Sequence, residues 1–143
     1  MGSTCTVTGF GRIARALVRR LTAMGAFVIV CARSEKQMQS AHEMGAHPVP
    51  LSRLVTAAAQ SDVIFNTVPA RVMGEDVLHA VGKDALIIEL ASAPYGVDME
   101  LASRLGVTVA LESGLPGRYA PYEAGAALFE AAQRYLKRQQ EGV

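Results

Sequence analysis

The stretch that decides the fold is TCTVTGFGRIA, residues 4–14. A short run typical of a buried strand ends at Gly9, and the pattern Gly9-x-Gly11-x-x-Ala14 leads into a segment with helical apolar spacing. Gly9 permits a tight turn, Gly11 lets the backbone approach a diphosphate, and Ala14 keeps the helix close to the sheet. Free amides and the positive end of the helix dipole attract phosphate at such a turn. The stretch predicts a dinucleotide-binding turn, and an ordinary structural turn is the alternative.

Outward from this turn, runs rich in Val and Ile alternate with helical patterns along the whole chain. Strands are predicted at residues 4–8, 27–31, 47–50, 62–67, 85–90 and 107–111. Helices are predicted at about 12–24, 34–44, 52–60, 74–81, 98–105 and 121–139. This alternation implies a parallel sheet with right-handed crossovers. We therefore predict a single α/β domain of the Rossmann type, with six strands in the doubly wound order 3-2-1-4-5-6.

Single residues add detail to this fold prediction. The third strand carries Pro48 and Pro50, which lack an N–H donor, so we expect it near a sheet edge. Ser52 is predicted to cap the next helix. Cys5 opens the first strand and Cys31 closes the second, which separates them by more than ~10 Å in a parallel pair. Because a disulfide needs α-carbons within ~7 Å, we expect two free thiols in the core.

Composition narrows the classes of partner. The chain has 143 residues, half of them hydrophobic, and a net charge of +1 from 14 basic and 13 acidic residues. That balance predicts neither nucleic-acid nor membrane binding. No apolar run approaches the ~18 residues of a spanning helix, and no signal peptide is recognisable, so a cytoplasmic protein is expected. The histidines, His42, His47 and His79, do not cluster, and no metal site is predicted.

The end of the second strand bears on which nicotinamide cofactor is bound. Proteins that prefer NAD usually carry an acidic residue there, which accepts from the ribose hydroxyls. This chain has Ala32, Arg33 and Ser34 instead, with no carboxylate before Glu35. Arg33 and Ser34 suit a 2′-phosphate, and Lys36 adds a second positive charge. We predict that NADP is preferred or accepted; if Arg33 only stacks on the adenine, NAD binds about equally well.

Ligands of open α/β sheets lie beyond the carboxyl ends of the strands, where three loops of small and polar residues are predicted. No complete set of catalytic acid and base is recognisable, so the catalytic residues remain unassigned. The predicted cofactor-binding residues are Gly9, Phe10, Gly11, Arg12, Ile13, Ala32, Arg33, Ser34, Lys36, Asn66, Thr67, Val68, Pro69, Leu90, Ala91, Ser92, Gly114, Leu115 and Pro116.

Several of these segments together resemble one family. The matches include the glycine turn, Ala32-Arg33-Ser34 and Asn66-Thr67-Val68-Pro69, and the most specific are residues 90–96, LASAPYG, and 114–121, GLPGRYAP. The chain resembles the cofactor-binding C-terminal domain of the dipicolinate synthase family, in its A-type subunit. It is more distantly similar to the cofactor domains of 2-hydroxyacid dehydrogenases and adenosylhomocysteinase.

The resemblance implies a function for the whole protein. It would oxidise dihydrodipicolinate to dipicolinate during sporulation, pass hydride to NAD(P), and work with a flavoprotein-like second subunit. Arg118 would then meet a substrate carboxylate; a solvated loop arginine is the alternative. The family's N-terminal domain has no counterpart in residues 1–143, so we expect these residues to be one domain of a longer two-domain protein. We also expect a homo-oligomer.

Two other interpretations stay open. The chain would fit the cofactor domain of another 2-hydroxyacid or imine reductase. From a different functional class, a non-catalytic Rossmann nucleotide sensor would carry the same glycine turn but need no substrate domain.

Overall fold

Strands and helices alternate from the start of the chain. The computed structural model describes residues 2–111 together with 130, 131 and 134. The strands are β1 (Thr4–Thr8), β2 (Phe27–Ala32), β3 (His47–Pro50), β4 (Val63–Asn66), β5 (Leu86–Glu89) and β6 (Thr108–Leu111). The helices are α1 (Arg12–Ala23), α2 (Glu35–Glu43), α3 (Leu54–Ala59), α4 (Glu75–Ala80) and α5 (Met99–Leu105), with a 3-10 turn at Leu51–Arg53 before α3.

The strands form one parallel sheet in the order β3-β2-β1-β4-β5-β6. This confirms the predicted Rossmann-type α/β fold, strand order and edge position of β3. The chain leaves β1 toward β2 and β3, then returns to the other side of β1 for β4. The order therefore reverses between β1 and β4, which is where open α/β sheets bind ligands.

Both faces of the sheet are covered by helices, which explains why its central strands are apolar throughout. Val7, Val30 and Phe65 pack with Leu17 of α1 on one face. On the other face, Ile29, Ile64 and Ile87 pack with residues of α3 and α4. Each fully buried side chain of this size contributes about 1.5–3 kcal/mol relative to its exposed state.

The two cysteines are free and buried, as predicted. Cys5 belongs to the core of the α1 face and Cys31 to the core of the opposite face, so the sheet itself separates them. Burial raises the pKa of both thiols to about 12, with the nearby Asp62 carboxylate adding to the effect at Cys5. Both side chains are therefore protonated packing groups at neutral pH.

One predicted helix cap is wrong. Ser52 lies exposed inside the 3-10 turn, and α3 begins only at Leu54, with Arg53 as its N-cap and no side-chain capping bond. The reason is that the chain starts to wind at Leu51, directly after Pro50. Ser52 therefore already lies inside a helical turn when the cap would be needed.

The last predicted helix, residues 121–139, falls mostly outside the described residues. Glu130, Ala131 and Arg134 are helical. No helix within the described residues combines the length and the apolar character needed to cross a bilayer.

Candidate cofactor-binding site

A cleft of about 370 Å³ opens at the carboxyl edge of the sheet, beside the point where the strand order reverses. We call it the switch-point cleft. Its lining combines the glycine turn, the ends of two helical segments and the loop after β4. The lining residues are Gly9, Phe10, Gly11, Arg12, Ile13, Ala14, Arg33, Gln37, Leu51, Thr67, Val68 and Pro69.

The glycine turn presents bare backbone to this cleft. Gly9 has a φ of +81° and donates its N–H to the Cys31 carbonyl at 2.8 Å. Gly11 is extended, with φ −83° and ψ −160°, and no atom of the described residues lies within 4 Å of the position its Cβ would take. Glycine is needed at Gly9 for its conformation, whereas at Gly11 the protein itself leaves room for a side chain.

The amino end of α1 is open for an anion. Gly11 is its N-cap and supplies no side-chain capping bond, and the first turn contains no acidic residue. The first backbone N–H groups of a helix lack partners within the helix and carry the positive end of its dipole. A diphosphate placed before Gly11 would satisfy these donors.

The charge of the lining matches such a ligand. Arg12 and Arg33 are both exposed, and among the described residues no acidic side chain lines the cleft. The Phe10 ring is buried in the core and lies under the guanidinium of Arg15, 5.3 Å away. Phe10 therefore anchors the turn from below while its backbone faces the cleft.

Only part of the predicted segment after β2 reaches the cleft. Arg33 lines it, but Ala32 is buried in the core and Lys36 is not a lining residue. Ser34 caps α2, because its Oγ accepts from the Gln37 N–H at 3.1 Å.

Three lining residues are not among the predicted cofactor-binding residues: Ala14, which belongs to the glycine motif, and Gln37 and Leu51, which lie outside every predicted site segment. Gln37 reaches the cleft from the first turn of α2, and Leu51 reaches it from the start of the 3-10 turn. Neither position carries a motif, so no sequence signal distinguishes them from other helical residues.

The loop after β4, which we call the β4 loop (residues 67–70), forms the other wall. Thr67, Val68 and Pro69 line the cleft as predicted. The Thr67 hydroxyl donates to the Thr8 carbonyl at 2.5 Å, which ties the loop to the end of β1. Asn66 differs from the prediction, because its side chain is fully buried and bonds to neighbouring strands rather than lining the cleft.

The loop after β5, which we call the β5 loop (residues 90–97), stands behind the β4 loop. Leu90 and Ala91 are buried and Ser92 is exposed, and none of the three lines the switch-point cleft. The predicted residues Gly114, Leu115, Pro116 and Arg118 lie outside the described residues. Within residues 2–111, 130, 131 and 134, no three His, Cys, Asp or Glu side chains group as metal ligands.

Comparison with known proteins agrees with this geometry. Residues 1–106 match the family described as D-isomer specific 2-hydroxyacid dehydrogenase, NAD binding domain. The chain belongs to this family. It is an NAD binding domain of an oxidoreductase family, and the switch-point cleft lies wholly within the matched residues.

Among the relatives of this NAD binding domain, the A-type subunit of dipicolinate synthase from Bacillus subtilis (strain 168) is 35% identical over 135 residues, which cover 94% of this chain and 46% of the relative. The crystal structure of the same subunit from Bacillus halodurans aligns with a TM-score of 0.78 at 35% identity, covering 94% of this chain and 46% of that one. An imine reductase from Myxococcus stipitatus in complex with NAD⁺ shares the fold, with a TM-score of 0.65 at 21% identity over 76% of this chain and 40% of its own.

These comparisons confirm the resemblance to dipicolinate synthase that the sequence predicts. The chain spans about half the length of the relatives it matches.

Behind the cleft, three polar side chains terminate adjacent strands of this NAD binding domain. Thr8 ends β1, Asn66 ends β4 and Glu89 ends β5, and they are paired in register across the sheet. All three are fully buried. Glu89 was missed as a functional candidate, although a carboxylate inside the apolar run of residues 86–90 is a signal that the sequence carries.

Proposed function

We propose that the switch-point cleft holds the nicotinamide dinucleotide, with the diphosphate at the amino end of α1. The observation that carries this proposal is the start of α1 at Gly11, where no side chain of the described residues caps the helix and the first turn has no acidic residue. The adenosine end would lie toward Arg33, Gln37 and Leu51, and the nicotinamide end toward the β4 and β5 loops. In this orientation the cofactor extends along the carboxyl edge of the sheet.

We further propose that NADP is the preferred cofactor, through Arg33. Arg33 lines the cleft directly after β2, and no carboxylate precedes Glu35 there to repel a 2′-phosphate. The Ser34 Oγ accepts from Gln37 N–H, which leaves its own O–H free to donate to a phosphate oxygen. A charge-assisted bond of this kind contributes about 1.5–3 kcal/mol.

Arg33→Ala is therefore expected to weaken NADPH binding about ten- to a hundredfold and to leave NADH binding nearly unchanged. Titration with each reduced cofactor, followed by nicotinamide fluorescence, measures both dissociation constants. Arg104→Ala is the matched control, because Arg104 is an exposed arginine on α5 outside the cleft lining. The NADP assignment would be contradicted if NADPH and NADH had equal dissociation constants both in the wild type and in Arg33→Ala.

For the whole protein, we propose the oxidation of dihydrodipicolinate to dipicolinate. Support comes from the 35% identity to the A-type subunit of dipicolinate synthase over 94% of the chain. The substrate ring would lose a hydride to the nicotinamide and a proton to solvent or a base, which together restore its aromaticity. Residues 1–143 would supply the cofactor half of the site, a second domain the substrate half, and a flavoprotein-like subunit would be the partner.

The reaction is tested with the protein encoded by the complete reading frame that contains residues 1–143. With dihydrodipicolinate and NADP⁺, the absorbance of the reduced nicotinamide is expected to rise at a rate proportional to protein concentration. A 2-hydroxy acid serves as the competing substrate, because the matched family is named for 2-hydroxyacid dehydrogenases. Turnover of the hydroxy acid alone would replace the dipicolinate assignment. No turnover of either, with cofactor binding intact, would favour a nucleotide sensor.

A further inference from the structure

Glu89 is the last residue of β5, and its carboxylate is fully buried where the β5 loop begins. Its Oε1 accepts from Asn66 Nδ2 at 2.7 Å and from the Ala91 N–H at 3.0 Å. Its Oε2 accepts from the Gly96 N–H at 3.0 Å and the Val97 N–H at 2.9 Å. One side chain thus ties both ends of the β5 loop to the end of β4.

All four partners that the described residues give this carboxyl group are N–H donors. An ionised carboxylate has acceptor capacity for four such bonds, whereas an amide of the same shape carries an NH₂ group in place of one oxygen. Burying a charge is costly unless it is fully hydrogen-bonded, and here every partner is in place. The arrangement therefore requires a carboxylate at position 89.

The acceptor-only character of Glu89 sets the direction of a longer hydrogen-bond chain. Because Glu89 accepts, Asn66 must present Nδ2 to it and turn Oδ1 toward Thr8, whose Oγ1 donates at 2.5 Å. The Thr8 Oγ1 then accepts from the Thr67 N–H at 3.2 Å, and Asn66 Oδ1 also accepts from the Val68 N–H at 3.3 Å. The chain thus runs from the β5 loop to the β4 loop and the end of β1.

The backbone around this chain fits it closely. A Cβ at Gly96 would collide with Asn66 Nδ2, so the β5 loop approaches as a bare backbone at this point. A Cβ at Gly9 would lie 2.7 Å from Thr67 Oγ1, so the glycine turn abuts the other end of the same chain. Three loops at the carboxyl edge are thereby held in one relative position.

We propose that Glu89 is a positioning residue, which fixes the β4 and β5 loops where the nicotinamide half of the cofactor lies. Glu89 does not line the switch-point cleft, and it acts on the ligand through Asn66, Thr8 and the loop amides. This inference rests on the proposed binding mode, because it assigns the nicotinamide end to these two loops. The adenosine end would lie toward Arg33, Gln37 and Leu51, none of which hydrogen-bonds to Glu89, Asn66 or Thr8 in the described structure.

The test compares two ligands on Glu89→Gln. Whichever position the new NH₂ takes, it faces two N–H donors and breaks two of the four bonds. NADPH affinity is expected to fall about tenfold or more. Adenosine 2′,5′-bisphosphate lacks the nicotinamide, and its affinity is expected to change less than about twofold. Calorimetric titration of both ligands separates positioning from a general structural role, which would weaken both.

A second pair of variants keeps the proposal testable if Glu89→Gln fails to fold. Thr8→Val removes the Thr8 hydroxyl from the hydrogen-bond chain. It is expected to weaken the binding of NADPH but not that of adenosine 2′,5′-bisphosphate. Thr6→Val is its matched control, since Thr6 is equally buried on the same strand and pairs with Ser61 Oγ at 2.6 Å, away from the loops.

The proposal would be overturned if Glu89→Gln or Thr8→Val lost affinity for both ligands equally, or if the NADPH affinity were unchanged. A wild-type protein that binds neither ligand would instead refute the proposed function.

Discussion

Gly11→Val is expected to abolish dinucleotide binding while leaving the protein folded. Gly11 has an extended backbone that any residue adopts, and nothing in residues 2–111 lies within 4 Å of its Cβ position, so this part of the fold accepts the side chain. The isopropyl group would occupy the space in front of α1 through which a diphosphate approaches the amides. Losing two charge-assisted bonds weakens binding about a hundredfold or more. Fluorescence titration with NADPH measures the loss.

Gly74→Val is the matched control for this variant. Gly74 is the N-cap of α4, with φ −89° and ψ −156°, and among the described residues nothing lies within 4 Å of its Cβ position either. Valine is a poorer N-cap than glycine, so each variant loses about 1 kcal/mol of stability or less. Only Gly11→Val should lose its affinity for NADPH. Affinity within about twofold of wild type in Gly11→Val would refute diphosphate binding at this turn.

Gly9→Ala is expected to reduce the free energy of unfolding by about 2–4 kcal/mol. A left-handed conformation, here φ +81°, costs a residue with a Cβ about 1–2 kcal/mol. The new Cβ would also lie 2.7 Å from Thr67 Oγ1 and 3.0 Å from Val68 Cγ2. Displacing the Thr67 hydroxyl breaks its bond to the Thr8 carbonyl, which adds about 1 kcal/mol or more. Urea unfolding measures the total.

The variant Gly25→Ala separates the two causes of destabilisation in Gly9→Ala, which are the backbone strain and the collision of the new Cβ with the β4 loop. Gly25 has nearly the same φ, +83°, but in the part of the chain that the structure describes no atom lies within 4 Å of its Cβ position. It should therefore lose only the 1–2 kcal/mol of backbone strain. Equal destabilisation of the two variants would mean that the contact between the glycine turn and the β4 loop is not a constraint on residue 9.

The fold was predictable because each of its signals is local. Runs such as residues 27–31 are apolar without alternation, which indicates strands covered on both faces, and the glycine turn identifies the first crossover. Ser52 was misplaced because a 3-10 turn and an α-helix begin with similar sequence patterns. The difference lies in how Pro50 directs the chain at the sheet edge.

The part of the candidate site that is formed by backbone was predictable from the sequence. The part whose position depends on packing between elements was less predictable. The glycine turn and residues 67–69 line the cleft as expected, because strand ends determine their position. Gln37 and Leu51 reach the cleft from a helix and a 3-10 turn whose approach depends on tertiary packing. The sequence predicts that Asn66 lines the cofactor site, but its hydrogen-bond partner Glu89 is 23 residues away in the chain, and only the pairing of β4 with β5 brings the two together.

The outer strand of the sheet has a consequence for how copies of this protein meet. Pro48 and Pro50 share one side of β3 by their spacing, and neither has an N–H to offer. If a strand from another molecule paired with this edge of β3, alternate backbone N–H donors would be missing. The two prolines thus protect the border against sheet extension and the aggregation that follows from it, without any Lys, Arg, Asp or Glu in the strand.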